Sequence, residues 1–421
     1  MSTIYDPLFD CKMVGALRAM HGINDCISII HGRNGCHCGA LLLQTLGSEQ
    51  NSVRVLTSGL KASDEVYSGE ERLSSAIRLA DQVFEPKAIA VLNCSAPVIM
   101  GEDVEGLDLL LEGETRSELV AMDVGGPEGP AWIGYEEALT KLVSRMRLNE
   151  DVPRGGINLL GFKADDLCSR GDLNEMNRIL RDQGLPLNSV LCGSSFEEVK
   201  KAPQAELNVL LGGDGLDCAK AMEEEFDLPY ISVPYPYGLK KSVQFVEMIG
   251  GALGREADPQ ILEMERERVK RTVERAHMFF QGIYSMPVAV VGESGRAFDL
   301  AEFLSSELGT DVKLLAISSS NFATLEKMTA KEAHYQRLMI EPDRWDMNRA
   351  LEASGAALIF GSSFEKRIAS ELQASLVRVS YPVIDEISLS DLPFAGFSGI
   401  AHLCEKIINS ILTRNKDEVK A

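Results

Sequence analysis

Short apolar runs, each closed by glycine or a polar residue and followed by a helical stripe, recur along the 421-residue chain. They are Ile27–Ile30, Val53–Leu56, Ile89–Leu92, Ile157–Leu160, Asn208–Leu211, Val288–Val291, Val312–Ile317, Ala356–Phe360 and Leu376–Val379. Several are apolar nearly throughout, as expected of strands whose sheet is covered by helices on both faces. Between them the period changes. Leu73, Ala76, Ile77 and Ala80 fall at i, i+3, i+4, i+7, one face of a helix. Ile400, Leu403, Cys404, Ile407, Ile408 and Ile411 do the same near the end of the chain. The pattern predicts an α/β protein with mostly parallel sheets.

Two interruptions divide this alternation. Pro153-Arg-Gly-Gly156 separates a helical run, Tyr135–Leu148, from the strand at Ile157. The stretch Glu256–Ala276 is dense in charge, with sparse apolar positions at Ile261, Leu262, Val269 and Val273. It predicts a connecting helix rather than a core helix. The expected units are residues 1–152, 153–255 and 256–421, the last holding the connecting helix and the C-terminal helix.

Composition narrows the possibilities. Hydrophobic residues make up 45% and charged residues 25%, an ordinary globular balance. No apolar stretch approaches the roughly 20 residues needed to span a bilayer. The opening Met-Ser-Thr-Ile-Tyr-Asp lacks a basic region followed by an apolar core, so a cytoplasmic protein is expected. With 63 acidic against 42 basic residues the net charge is −21. That argues against nucleic acid, whose phosphates need clustered Lys and Arg, and fits a partner with a basic face. Nine cysteines without an export signal favour reduced thiols over a disulfide framework.

Three of those thiols stand at turns. Cys36 closes His31-Gly-Arg-Asn-Gly-Cys36 after an apolar run, Cys94 ends Ile89-Ala-Val-Leu-Asn-Cys94, and Cys11 precedes a helix-like stretch. Strand ends carry binding chemistry in parallel sheets. An iron–sulfur cluster usually takes four cysteines, so three suggest half of a site completed elsewhere. Taken singly, each reads equally well as a core thiol. Cys404 lies on the apolar stripe of the last helix, and Cys192 and Cys218 also read as core. Cys26 and Cys168 have no partner pattern. Cys38, in Cys36-His37-Cys38, has a spacing unusual for a single ion. The turns Gly212-Gly213-Asp-Gly215 and Gly292-Glu-Ser-Gly295 lack the full dinucleotide or P-loop fingerprint, and tight strand-to-helix turns need glycine anyway. Six scattered histidines support no hydrolytic triad.

The segment Pro7–Cys94 nevertheless resembles a known family. Cys11, the stretch Gly22-Ile-Asn-Asp-Cys-Ile-Ser-Ile-Ile-His31-Gly-Arg-Asn-Gly-Cys36, Thr57-Ser58, Asp64-Glu-Val-Tyr-Ser-Gly69-Glu70-Glu71-Arg-Leu73 and the strand ending at Cys94 are similar to nitrogenase-like component 1 proteins, above all the β-type subunit. The spacings match those of the three cluster-ligating cysteines there: 25 from Cys11 to Cys36, and 58 from Cys36 to Cys94. Weaker likeness continues through Pro229–Val233, Gly361–Lys366 and Pro393–Gly399.

The resemblance implies three Rossmann-like domains, with Cys11, Cys36 and Cys94 ligating a P-cluster-type 8Fe-7S cluster, or alternatively a 4Fe-4S cluster. It implies a homologous α-type subunit sharing that cluster in an α2β2 heterotetramer. An ATP-dependent reductase homodimer carrying its own 4Fe-4S cluster would dock transiently. Gly32 and Gly35 would let backbone amides approach the cluster sulfides. Some features depart from the pattern. The chain is short for a nitrogenase β-subunit, and Asp123 stands near the place of its serine ligand. Phe364 replaces a histidine frequent in relatives, and no Cys and His pair for a catalytic cofactor is evident. The expected role is therefore electron relay, with no catalytic residues in this chain and the active-site cluster in the partner. The reading of first choice is a methylthio-alkane reductase performing reductive C–S cleavage. The alternatives are a scaffold for nitrogenase-type cofactor assembly and a tetrapyrrole or nickel-sirohydrochlorin reductase subunit.

Overall fold

The computed structural model describes residues 11–47, 54–64, 68–106, 113–125, 129–321 and 335–418. Three all-parallel sheets organise them. The first has the order β2-β1-β3-β4, from Val55–Thr57, Cys26–His31, Ala88–Asn93 and Glu118–Met122. The second repeats it as β6-β5-β7-β8, from Leu187–Val190, Ile157–Leu160, Leu207–Leu211 and Tyr230–Val233. The third runs β11-β10-β9-β12-β13, from Leu338–Ile340, Asp311–Ser319, Pro287–Glu293, Leu358–Gly361 and Ser375–Arg378. The central strands β1, β3, β5, β7 and β12 are buried at every residue, as their apolar runs require.

Helices cover the sheets. Helix Glu70–Phe84 buries Leu73, Ile77 and Ala80 of the predicted stripe and half-buries its fourth member, Ala76. The charge-dense stretch forms helix Pro259–Glu274, started by Asp258, whose carboxylate accepts from the Gln260 amide 2.8 Å away. The C-terminal helix Gly396–Glu418 leaves the third sheet and packs on helices Ser169–Asp182, Gly238–Ala252 and Pro259–Glu274. Its first turn is anchored by Glu175, which accepts from Ser398 N at 2.9 Å.

Several boundaries differ from the sequence reading. The helix expected over Tyr135–Leu148 is Ala131–Val143, because Ser144 to Met146 turn back on Leu142 and Val143. β4, β6, β8 and β11 were not among the apolar runs: each is a short sheet edge, and β6, β8 and β11 are half-exposed over part of their length. Val53 and residues 65–67 lie outside the described residues. No helix among the described residues is long and apolar enough to cross a membrane.

Close backbone contacts set how the layers meet. A Cβ on Gly15 would stand 1.6 Å from the Ala131 carbonyl oxygen, and one on Gly134 1.8 Å from that of Lys12. Helices Lys12–His21 and Ala131–Val143 therefore touch backbone to backbone. The two glycine-rich turns meet likewise, since a Cβ on Gly295 would lie 2.2 Å from Gly212 O. Glycine in these turns serves packing of one sheet's loops on another's.

Candidate metal centre

Each of the three cysteines sits at or inside a helix start. Cys11 precedes helix Lys12–His21 in extended conformation, Cys36 lies in the first turn of Asn34–Gly47, and Cys94 precedes Ser95–Met100. Helix starts present free amide N–H groups and positive dipole ends, an environment that favours thiolates. Parallel β1 and β3 bring two of the three together. His31 pairs with Asn93 across the ladder, and Cys94 N donates to His31 O at 2.8 Å, so the chain leaving β1 runs beside Cys94. Cys36 then returns on the next helix, its thiol close enough to that of Cys94 for the two to share a proton.

Exposure and charge differ across the set. Cys36 is exposed, Cys11 half-buried and Cys94 buried. The hydrogen bond from Cys94, opposed by burial and helped by a backbone amide, lowers the Cys36 pKa to about 6. Cys94 is pushed strongly upward by Cys36, then by burial and the nearby charge of Cys11. The pair therefore holds one proton readily and two negative charges only with a cation at hand. Among the described residues no three His, Cys, Asp or Glu groups close on a point that one ion could occupy.

The two glycines behave differently. A Cβ on Gly32 would lie 2.6 Å from Cys94 Sγ and 2.7 Å from its Cβ, so only glycine leaves the Cys94 side chain its place. A Cβ on Gly35 would meet nothing within 4 Å among the described residues. Gly32→Ala is expected to cost about 1–3 kcal/mol by overpacking and to displace Cys94. Thermal unfolding together with iron content would show it; wild-type values of both would refute the packing argument.

Polar side chains that the sequence did not single out as site residues fix these loops. His31 Nδ1 lies 2.8 Å from Ser58 Oγ and Nε2 2.6 Å from Glu102 Oε2. Burial lowers the His31 pKa despite Glu102, so the ring is neutral, donating to Glu102 and accepting from Ser58. Ser58 Oγ in turn accepts from Gly32 N at 3.3 Å, and Glu102 accepts from Gly69 N. Asn93 Oδ1 takes the amides of Val124 and Gly125, both at 2.9 Å, while its Nδ2 donates to exposed Asp123 at 2.8 Å. A histidine at a strand end, followed by glycine, was the one available sequence signal.

Six cysteines remain, of which Cys38 shares the helix of Cys36. Cys26, Cys168, Cys192, Cys218 and Cys404 are buried, and Cys38 is exposed. Burial, as the main cause, pushes the Cys404 thiol up to about 12, leaving it unreactive.

The loops after β5, β7, β8 and β9 converge on a second polar assembly, filled by the chain's own charges. Arg18 holds Asp165 at 2.8 Å, Asp166 at 3.1 Å and Glu293 at 2.7 Å. Lys163 bridges Asp214 at 3.0 Å and Glu293 at 2.8 Å. Arg296 pairs with Asp166 and, at 3.2 Å, with Asp172, which also accepts from Tyr235 at 2.7 Å. Sheet-end crevices of this kind are where α/β proteins bind ligands. Here side chains occupy it.

Comparison with known proteins gives a consistent result. The family described as nitrogenase component 1 type oxidoreductase matches residues 11–412. The vanadium-iron nitrogenase beta chain of Trichormus variabilis is 25% identical, with 97% of this chain and 94% of that one covered. The iron-iron nitrogenase beta chain of Rhodobacter capsulatus is 24% identical, covering 96% of this chain and 93% of its own length. A chain of the light-independent protochlorophyllide reductase of Picosynechococcus sp. is 22% identical, covering 96% of this chain and 83% of its own length. The solved structure of nitrogenase Cp1 at pH 6.5 superposes with a TM-score of 0.84 at 21% identity, covering 97% of this chain and 93% of that one.

Proposed function

The chain belongs to the nitrogenase component 1 type oxidoreductases, and from that premise we propose that it is the β-type, electron-relay subunit of a nitrogenase-like reductase complex. The observation that carries this reading is the seating of Cys94 against the Gly32 loop that leads from β1 to Cys36, within a family match that runs from Cys11 to residue 412. Cys11, Cys36 and Cys94 would hold one half of a P-cluster-type 8Fe-7S cluster, with an α-type subunit supplying the other half. Such a cluster supplies low-potential one-electron chemistry. This chain's residues orient the thiolates: His31, Ser58 and Glu102 fix the Gly32 loop, and Asn93 fixes the turn around Gly125. Asp123 stands one hydrogen bond from Asn93 as the oxygen donor closest in sequence to the expected ligand place.

The charge-filled crevice supports placing reduction of the substrate in the partner. Its five carboxylates and three cations, buried or nearly so, are committed to internal ion pairs. For the substrate, the proposal keeps methylthio-alkane reductase as the first choice among the nitrogenase-like reductases. A compound R–S–CH3 would take two electrons and two protons to give R–H and methanethiol, with electrons from an ATP-dependent reductase homodimer docking on the complex.

Assembly tests the reading directly. Expressed alone, the chain is expected to retain little iron; coexpressed with its α-type partner it should regain it in a complex of two copies of each. Iron analysis and sedimentation decide this, and a monomer with a full iron complement would contradict the shared site. Methanethiol release from a methylthio substrate, dependent on ATP and the reductase component, tests the substrate assignment separately.

A further inference from the structure

Cys11 and Arg18 lie at the start of one helix and within it, nearly two turns apart. Near its start that helix is pressed backbone to backbone on Ala131–Val143 through Gly15 and Gly134. Toward its end Arg18 makes the charged contacts. The Arg18 guanidinium lies 3.6 Å above the Tyr381 ring and bonds Asp165 and Asp166, which follow β5, and Glu293, which ends β9. Helix Ala131–Val143 and residues of the second and third sheets thus fix the rotation and axial position of the helix that presents Cys11. Otherwise the helix is apolar or small there: Met13, Val14, Ala16, Leu17, Ala19 and Met20 are all buried. An apolar residue at position 18 would pack with less desolvation than a buried arginine, and buried ion pairs seldom add stability over apolar packing. What they add is a single orientation, because only one rotation of the helix satisfies three carboxylates at once.

We infer that Arg18 is a positioning residue for Cys11, coupling the docking of the second and third sheets to the geometry of the metal centre. The inference rests on the reading of Cys11 as a cluster ligand. Loss of the clamp would let the helix rotate or slide, turning Cys11 away from Cys94 while Cys36 and Cys94, held by β1 and β3, stay together.

The test uses the full complex, purified anaerobically, in four variants. Arg18→Met removes the clamp, Arg18→Lys keeps a charge, and Glu293→Gln removes one arm without stranding a carboxylate. Arg178→Met breaks a more exposed ion network with Glu175 and Glu265, none of whose members lies on the helix of Cys11, as a control for lost stability alone. Alkylation of Cys11 by iodoacetamide, followed by peptide mass spectrometry, and the EPR line shape of the cluster are the readouts. Arg18→Met is expected to raise Cys11 alkylation at least ~10-fold and to alter the EPR signal, in keeping with the effect of supports behind a metal ligand. Arg18→Lys should recover most of the protection, and Arg178→Met should change neither readout. If Arg18→Met does not fold, Glu293→Gln carries the test, with the same changes in smaller degree. Folded Arg18→Met or Glu293→Gln protein with wild-type Cys11 alkylation and EPR overturns the inference. Wild-type iron content in Cys11→Ala would instead remove the ligand reading beneath it, and the two failures are distinguishable.

Discussion

Alanine in place of Cys11, Cys36 or Cys94 should strip most of the iron from the coexpressed complex and reduce its activity by about 100-fold or more. Even supports behind a metal ligand are typically worth 10–100-fold, and a ligand itself is worth more. The physical reason is donor softness: a methyl group offers iron nothing, and neighbouring hydroxyls bind it far less well than thiolate. Cys94 should be the most damaging site, because its thiol is buried, touches Cys36 and is framed by Gly32 and Gly125. Cys404→Ala is the matched control. That thiol is 4% exposed on the apolar face of the last helix, and its loss should cost on the order of 1 kcal/mol of packing with iron unchanged. Iron per chain and EPR amplitude measure the difference. Unchanged iron in all three amino-terminal variants would sink the site assignment.

Lys163→Met is expected to have the largest effect on stability, about 3–5 kcal/mol, because it leaves Asp214 and Glu293 buried with a cation removed. The sign of its pH dependence follows from Glu293. Burial pushes that carboxyl up, but Arg18 and Lys163 outweigh it and hold its pKa at about 2. A folded pKa below the unfolded one contributes stability that is complete above the unfolded value and lost as pH falls through about 2. Without Lys163 the folded pKa rises, so the variant takes up its proton earlier on acidification. Its deficit relative to wild type should therefore be full at neutral pH and shrink below roughly pH 4. Asp166 and Asp172, raised by burial, titrate in the opposite sense in both proteins and largely cancel in the difference. Urea unfolding across pH would expose a contrary result: a deficit under about 1 kcal/mol, or one that does not change with pH.

The core strands were legible because they are buried on both faces and so apolar nearly throughout; β3, β5 and β7 stand out for this reason. Edge strands were harder. β11 is a three-residue apolar run, Leu338-Met339-Ile340, partly exposed and too short to stand out. Cys36 and Cys94 were legible as turn residues after apolar runs, and the ladder pairing of His31 with Asn93 explains why 58 residues of separation closes to a hydrogen bond. The ion assembly was not legible as a unit, since Arg18, Lys163, Asp165, Glu293 and Arg296 meet only through the packing of three sheets. One clue was present: an arginine flanked on every side by apolar helix positions must find buried partners. The positions of Asn93 and Glu102 as loop anchors left no such mark.

The backbone contact at Gly15 and Gly134 bears on how fast an electron could cross this protein. Transfer slows when nuclei must rearrange to accommodate the new charge. With its main chain against its neighbour and Arg18 holding its far end, the helix has no compliant side-chain layer in which to drift, so in the proposed cluster site the Cys11 sulfur would shift little between oxidation states. The side at exposed Cys36 is the opposite extreme, where water or a partner's surface must reorient. Burying that side against a second protein chain would thus do more than complete a set of ligands. It would remove the softest part of the surroundings and lower the reorganisation energy of the relay.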